Sequence, residues 1–182
     1  ANVANHKLEV DELPVTFIDT SGCAFDEVLN KKQRSLSNPG EYFILKEHMH
    51  VHFEDKETGK YPGLADVSIG IISPYAEQVR FIRSEIRKDL NLMELDVVVD
   101  SIDGFQGQEK DVIYISLVRS NEKGIIGFLK DYRRLNVAMT RARKKLVLIG
   151  DMTTLSSEPL FNELADYIEQ NGLYQSAWEY MG

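Results

Sequence analysis

Val67-Ser68-Ile69-Gly70-Ile71-Ile72-Ser73-Pro74-Tyr75-Ala76-Glu77-Gln78 carries the reading of the fold. Six almost wholly apolar residues, too few for a helix, read as a strand with both faces covered. Ser73 and Pro74 follow at once as an expected N-cap and first-turn proline. Val79, Ile82, Ile86 and Leu90 then recur at helical spacing. Buried strand followed directly by amphipathic helix is half of a βαβ unit.

The same alternation extends outward. Val15 to Ile18 predicts a strand closed by the turn Asp19 to Gly22. Residues 23 to 38 are polar and irregular. Pro39 to about Phe53 predicts a helix capped by Asn38, and Glu54 to Gly63 a loop. Residues 23 to 66 are therefore expected as an irregular and helical insertion within one domain spanning 1 to 182. Asp96 to Ser101 and Val112 to Val118 predict two more strands, joined by the Gly-rich Asp103 to Gly107. A loop at 119 to 130, a helix from Asp131 to about Arg143 and a strand from Lys145 to Ile149 come next. A last helix is expected from about Glu158 to Gln170, with Ser157 as N-cap and Leu160, Phe161, Leu164 and Ile168 as its apolar stripe. The expected fold is α/β, a parallel sheet of about five or six strands sandwiched by helices. Ligands of such sheets bind at the carboxyl ends of the strands, which selects Ser73, the 101 to 109 loop and the 119 to 130 loop.

Composition bounds the function. The 182 residues are 43% hydrophobic and 27% charged, ordinary for a globular domain. No apolar run could span a bilayer, and the first ten residues hold no apolar signal core. A chain opening on Ala1 is expected to be a fragment or a processed product. One cysteine, Cys23, rules out an intrachain disulfide and a cysteine zinc site, and fits a reducing, cytoplasmic or nuclear compartment. A net charge of −8 argues against nucleic-acid binding, but its distribution does not. Lys130, Arg133, Arg134, Arg141, Arg143, Lys144 and Lys145 are seven of the 21 basic residues, opposed locally by Asp131 alone.

Several chemistries are absent. There is no G-x-x-x-x-G-K-[ST], hence no phosphate loop of its own. Leu8 to Glu12 lacks the uninterrupted strand that a magnesium-binding Asp-Glu pair needs. His48, His50 and His52 read as a solvated polar face, with no metal expected, and His6 stands alone.

Three segments carry a signal. Ser73 stands where a strand gives way to a helix, so its hydroxyl and the first free N–H groups suit a phosphate; an ordinary N-cap is the plainer alternative. In Val99 to Asp111 (VDSIDGFQGQEKD) a strand empties into a loop whose glycines let the backbone approach a ligand, beside a glutamate able to bind ribose hydroxyls. In Tyr132 to Arg143 (YRRLNVAMTRAR), Arg134, Ala138 and Arg141 would share one helix face and could aim a guanidinium at a phosphate.

Taken in order, SPYAEQ at 73 to 78, DSIDGFQGQEKDVIYISLVRS at 100 to 120 and GFLKDYRRLNVAMTRARKKLVLIGD at 127 to 151 resemble motifs IV, V and VI of superfamily-one helicases. FIDTSG at 17 to 22 and SNPGE at 37 to 41 fit the same branch, that of the nonsense-mediated-decay helicase, senataxin and the immunoglobulin switch-region-binding helicase. The resemblance implies a RecA-like second motor domain of an ATP-dependent, 5′-to-3′ DNA or RNA helicase. By position it implies Gln106, Gly107 and Glu109 at the ATP site, with Glu109 near the ribose. Arg141 would reach the γ-phosphate, Arg134 would support it, and Ser73 and Ser101 would contact single-stranded nucleic acid. Magnesium and the phosphates would be held mainly by a first RecA-like domain of the same polypeptide, and the protein would act as a monomer. Met139 and Gly104 depart from common family choices without touching these roles. A non-catalytic nucleic-acid-binding scaffold derived from a helicase is the alternative; Glu109 and Arg141, which a scaffold does not need, weigh against it. A dinucleotide-dependent enzyme would need a G-x-G-x-x-G after a strand, which is not there.

Overall fold

The computed structural model describes residues 15–182; His6 and Leu8 to Glu12 lie outside the described residues. Its centre is a six-stranded, all-parallel sheet. The strands are β1 (Val15–Asp19), β4 (Ile69–Ile72), β5 (Val97–Asp100), β6 (Lys110–Ser116), β7 (Ala142–Gly150) and β8 (Leu173–Ser176), in the order β5-β4-β6-β7-β1-β8. A separate antiparallel hairpin joins β2 (Val28–Asn30) to β3 (Ser35–Ser37).

Side chains alternate across the sheet, so each strand feeds two cores. Ile69, Ile71, Val112, Tyr114, Val147 and Ile149 face one core, built with α1 (Pro39–Phe53) and α2 (Ala76–Lys88). Ile113, Ile115, Leu146 and Leu148 face the other, with α4 (Tyr132–Met139) and α6 (Pro159–Asn171). Two short helices, α3 (Leu90–Met93) and α5 (Met152–Leu155), complete the connections. Among the described residues no helix is long and apolar enough to cross a membrane.

Several expectations are refined. Asn38 caps α1 through its side-chain oxygen, as expected. Helix α1, within the 23 to 66 region, packs on the sheet: Ile44, Leu45, Met49 and Phe53 are buried in its core. The histidines of α1 are not a solvated face. His48 is buried, with Nδ1 2.8 Å from the Tyr114 hydroxyl, and burial first, then His52, holds it well below the usual histidine range. Among the described residues no group of histidine, cysteine or carboxylate side chains could hold a metal.

Helix α2 begins at Ala76, not at Ser73. Ser73 instead accepts the Tyr75 N–H, and Ser35 of the hairpin accepts the Glu77 N–H, so a distant serine caps the first turn. Helix α6 is preceded by Glu158 without a side-chain cap, because Ser157 donates its hydroxyl to the Gly124 carbonyl at 2.6 Å. Helix α4 stops at Met139, short of the expected Arg143. Thr140 turns its hydroxyl onto the Val137 carbonyl, and the Arg141 carbonyl accepts the Lys110 N–H, so the sheet ladder takes the chain where the helix would have continued.

Candidate functional site

The loop between β5 and β6 is anchored by Phe105, fully buried against the sheet. Gly70 makes that possible, since a Cβ there would lie 2.6 Å from Ile113 Cδ1 and 2.8 Å from Phe105 Cε1. With Phe105 pinned, the residues on either side are presented to solvent. Gln106, Gly107 and Glu109 are exposed, and Gly107 takes φ +77° with open space around it.

This loop does not lie wholly at the carboxyl edge. It starts there, at Ser101, and ends at the amino end of β6. Lys110 pairs with Ala142, and its N–H donates to the Arg141 carbonyl at 3.0 Å. Glu109 and Arg141, each one residue earlier, are thereby neighbours at the amino ends of β6 and β7. The carboxyl-end rule therefore accounts for Ser101 but not for Glu109 or Arg141.

Between loop and α4 runs a groove of about 220 Å³ lined by Ile102, Asp103, Gln106, Arg133, Arg134 and Val137. Arg134 is ion-paired to Asp103 at 2.9 Å, with both side chains substantially in solvent. Such a pair is worth under about 1 kcal/mol, so it orients Arg134 without committing it. Arg141 donates from Nε to the Val137 carbonyl at 3.1 Å and from Nη2 to the Thr140 hydroxyl at 3.2 Å. No carboxylate among the described residues pairs with it; Asp103 is taken by Arg134. Arg134 and Arg141 do not share a helix face as expected, because α4 ends between them. Arg134 lines the groove; Arg141, beyond the end of α4, is not among its lining residues.

Two more residues of the basic run are engaged within the fold. Arg143 binds Asp111 at 3.2 Å and the Ser68 hydroxyl at 3.2 Å. Burial alone would raise the Asp111 carboxyl, but the Ser68 N–H and Arg143 outweigh it and hold it below the usual range. Lys145 is buried, and burial pushes its ammonium down to about 8. Composition could not tell that Arg143 is ion-paired to Asp111 or that Lys145 is buried.

At the carboxyl edge the two serines differ. Ser101 is partly exposed and its Oγ accepts the Gly104 N–H at 3.2 Å, leaving its hydroxyl proton to offer. Ser73 is 1% exposed. Its hydroxyl does not open on the crevice, and its role in this conformation is to hold the Tyr75 turn. Sequence reasoning missed Asp103 as the partner of Arg134. It also missed Tyr75, Arg119 and Phe128, which cluster beside the hairpin; the polar spacing of 119 to 130 gave only a loop.

Residues 2–153 match the family model described as AAA domain. The chain is 44% identical over 146 residues, 79% of its length and 20% of the relative's, to DNA polymerase alpha-associated DNA helicase A of Saccharomyces cerevisiae. It is 38% identical over 137 residues, 74% of its length and 8% of the relative's, to helicase sen1 of Schizosaccharomyces pombe. To regulator of nonsense transcripts 1 of Dictyostelium discoideum it is 46% identical over 120 residues, 64% of its length and 9% of the relative's. The chain thus spans a fifth or less of each of these relatives. With a parallel sheet covered on both faces, the chain belongs to this AAA-domain family, in the superfamily-one helicases of the nonsense-transcript-regulator and senataxin type.

Proposed function

We propose that this chain is the second motor domain of an ATP-dependent helicase moving 5′ to 3′ on DNA or RNA. The observation that supports the proposal is the Lys110–Arg141 backbone bond, which brings the backbones of Glu109 and Arg141 together at the amino ends of β6 and β7, with the Arg141 guanidinium without a carboxylate partner among the described residues. Those residues fit a nucleoside triphosphate. Glu109 accepts from ribose hydroxyls, Gln106 and Gly107 line the approach, and Arg141 offers a planar, permanently charged fork to the terminal phosphate. Arg134, loosely held by Asp103, supports the same groove. ATP supplies the free energy of hydrolysis, and magnesium and the phosphate cradle come from the partner RecA-like domain. Closure of that domain onto this one would draw Arg141 off its Val137 carbonyl and onto the phosphate, coupling turnover to relative motion of two grips on a single strand.

Two results are expected. The 182-residue chain, purified alone, turns over no ATP with or without single-stranded DNA or RNA, because no phosphate loop is present. Strand-stimulated phosphate release by this chain would overturn the division of labour. Ser101→Ala weakens single-strand binding by about 1 kcal/mol, the order of one hydrogen bond. Ser73→Ala leaves that affinity alone and lowers the melting temperature instead, since its hydroxyl is buried. Fluorescence anisotropy with a labelled oligonucleotide and thermal unfolding on the same preparations separate the two, and the reverse pattern would exchange the serines' roles.

A further inference from the structure

We propose that the groove between the β2–β3 hairpin and Phe128 takes an unstacked base of a single strand, with the hairpin tip on the flanking phosphates. The proposal rests on the nucleic-acid reading above and extends it from Tyr75, Arg119 and Phe128, within the motif stretches, to the β2–β3 hairpin facing them.

The groove, about 420 Å³, is bounded on one side by Leu29, Arg34 and Leu36 of the hairpin and on the other by Tyr75, Arg119 and Phe128. That volume accommodates a base with its sugar. Phe128 is 64% exposed, an unusual place for a phenyl ring with nothing apolar over its outer face. It is nonetheless held: its centroid is 5.4 Å from that of buried Tyr75, inclined by 32°. The Arg119 guanidinium lies 5.8 Å from the Tyr75 ring centre and donates to its hydroxyl at 3.2 Å. Gly127 lets this assembly close, since with φ +51° a side chain there would run into the Arg119 guanidinium. A ring fixed from behind and open in front is a stacking platform that has little to lose in ordering.

Charge selects the occupant. Lys31, Lys32, Gln33 and Arg34 form the exposed hairpin tip, and residues 28 to 40 contain no acid, in a chain of net charge −8. The carboxylates beside the groove are already engaged. Glu27 is paired to Arg119 at 2.9 Å, and Glu77, whose N–H binds Ser35, is paired to Arg80 at 3.4 Å. Basic groups over an aromatic floor, with local acids neutralised, suit a phosphodiester chain carrying bases. Continuity supports it. Tyr75 follows Ser73, whose N–H donates to the Asp100 carbonyl, so the groove continues the carboxyl edge that starts at Ser101.

Anisotropy of a fluorescein-labelled 15-nucleotide oligothymidylate, and of the same length of abasic deoxyribose-phosphate, tests the idea on this chain across a salt series. Phe128→Ala should weaken oligothymidylate binding roughly tenfold and leave the abasic strand unchanged, since stacking needs a base. The triple variant Lys31→Ala, Lys32→Ala, Arg34→Ala should weaken both strands and flatten the log–log salt slope by about 2, at about 0.7 per phosphate contact. The three hairpin side chains are exposed, so the triple variant should unfold with the parent; Phe128→Ala gives up its contact with Tyr75, and unchanged abasic-strand affinity is the sign that its fold is intact. If the parent binds oligothymidylate and both variants bind as it does, the groove is off the path while the nucleic-acid reading stands, and a protein partner becomes the better occupant. If the parent binds neither oligothymidylate nor oligouridylate, both fail together.

Discussion

On the proposed reading as a second motor domain, Arg141→Ala in the two-domain motor should lower ATP hydrolysis by about 10³ or more while leaving the fold and strand binding nearly intact. That factor corresponds to about 4 kcal/mol of transition-state stabilisation, the range of an arginine finger. The local structure says why the fold should survive. Among the described residues the guanidinium holds only the Val137 carbonyl and the Thr140 hydroxyl, at the solvent-exposed end of α4. Water replaces both bonds at little cost. Arg141→Lys should not restore turnover, because an ammonium presents a point charge and not a fork. Arg143→Ala, two residues on, is the built-in contrast. It removes the guanidinium from the mutually bonded Asp111 and Ser68 and should lower the melting temperature, with turnover per folded molecule close to normal. Turnover and unfolding measured on one preparation decide the matter. If Arg141→Ala melted early and hydrolysed normally per folded molecule, Arg141 would be a helix-end clamp and the finger assignment would fall.

What the sequence made legible follows from how burial writes itself into a chain. Strands covered on both faces, β4 and the middle of β6 above all, are apolar in unbroken runs, so Ile69 to Ile72 and Val112 to Ile115 announced themselves. The 101 to 109 segment was legible as an exposed loop because glycines and hydrogen-bonding side chains follow a buried strand. The boundary between α4 and β7 was not. Ala142 to Lys144 is polar at the sheet's amino edge and continues a helical pattern as readily as it starts a strand. Only pairing with Lys110, 32 positions earlier, decides it. The three-residue strands of the hairpin are too short for any period to show, and β8, Leu173–Ser176, has one apolar side chain besides Tyr174. Ser73 and His48 misled for one reason: polar residues are expected outside, and these two are buried with a hydrogen-bonding neighbour each, which spacing cannot reveal.

Glu41 is the sharpest instance of that blindness, and a second large effect is expected from it. Its carboxyl is fully buried. Oε1 accepts the Ser116 hydroxyl at 2.7 Å and the Val118 N–H at 2.9 Å, while Oε2 has no partner among the described residues. Those bonds secure a strained place, for Val118 holds φ +71°, a rare conformation for a β-branched residue. Burial pushes the Glu41 carboxyl from about 4.5 up to about 8, against the pull of its two donors. The folded chain therefore binds this proton more tightly than the unfolded chain. The resulting stability is complete below about 4.5 and is lost as pH rises through about 8. Glu41→Gln keeps the accepting oxygen and removes the titration. Its melting temperature should exceed the parent's by roughly 10 °C at pH 9, for a shift worth on the order of 4 kcal/mol, and the two should converge towards pH 5. Comparing the pair cancels Lys145, lowered to about 8, and His48, whose cost appears only on the acid side. Parallel melting curves from pH 5 to 9 would mean that Glu41 is ionised in the folded chain throughout. Its charge would then be met by the Ser116 and Val118 donors alone, and Gln in its place would destabilise at every pH.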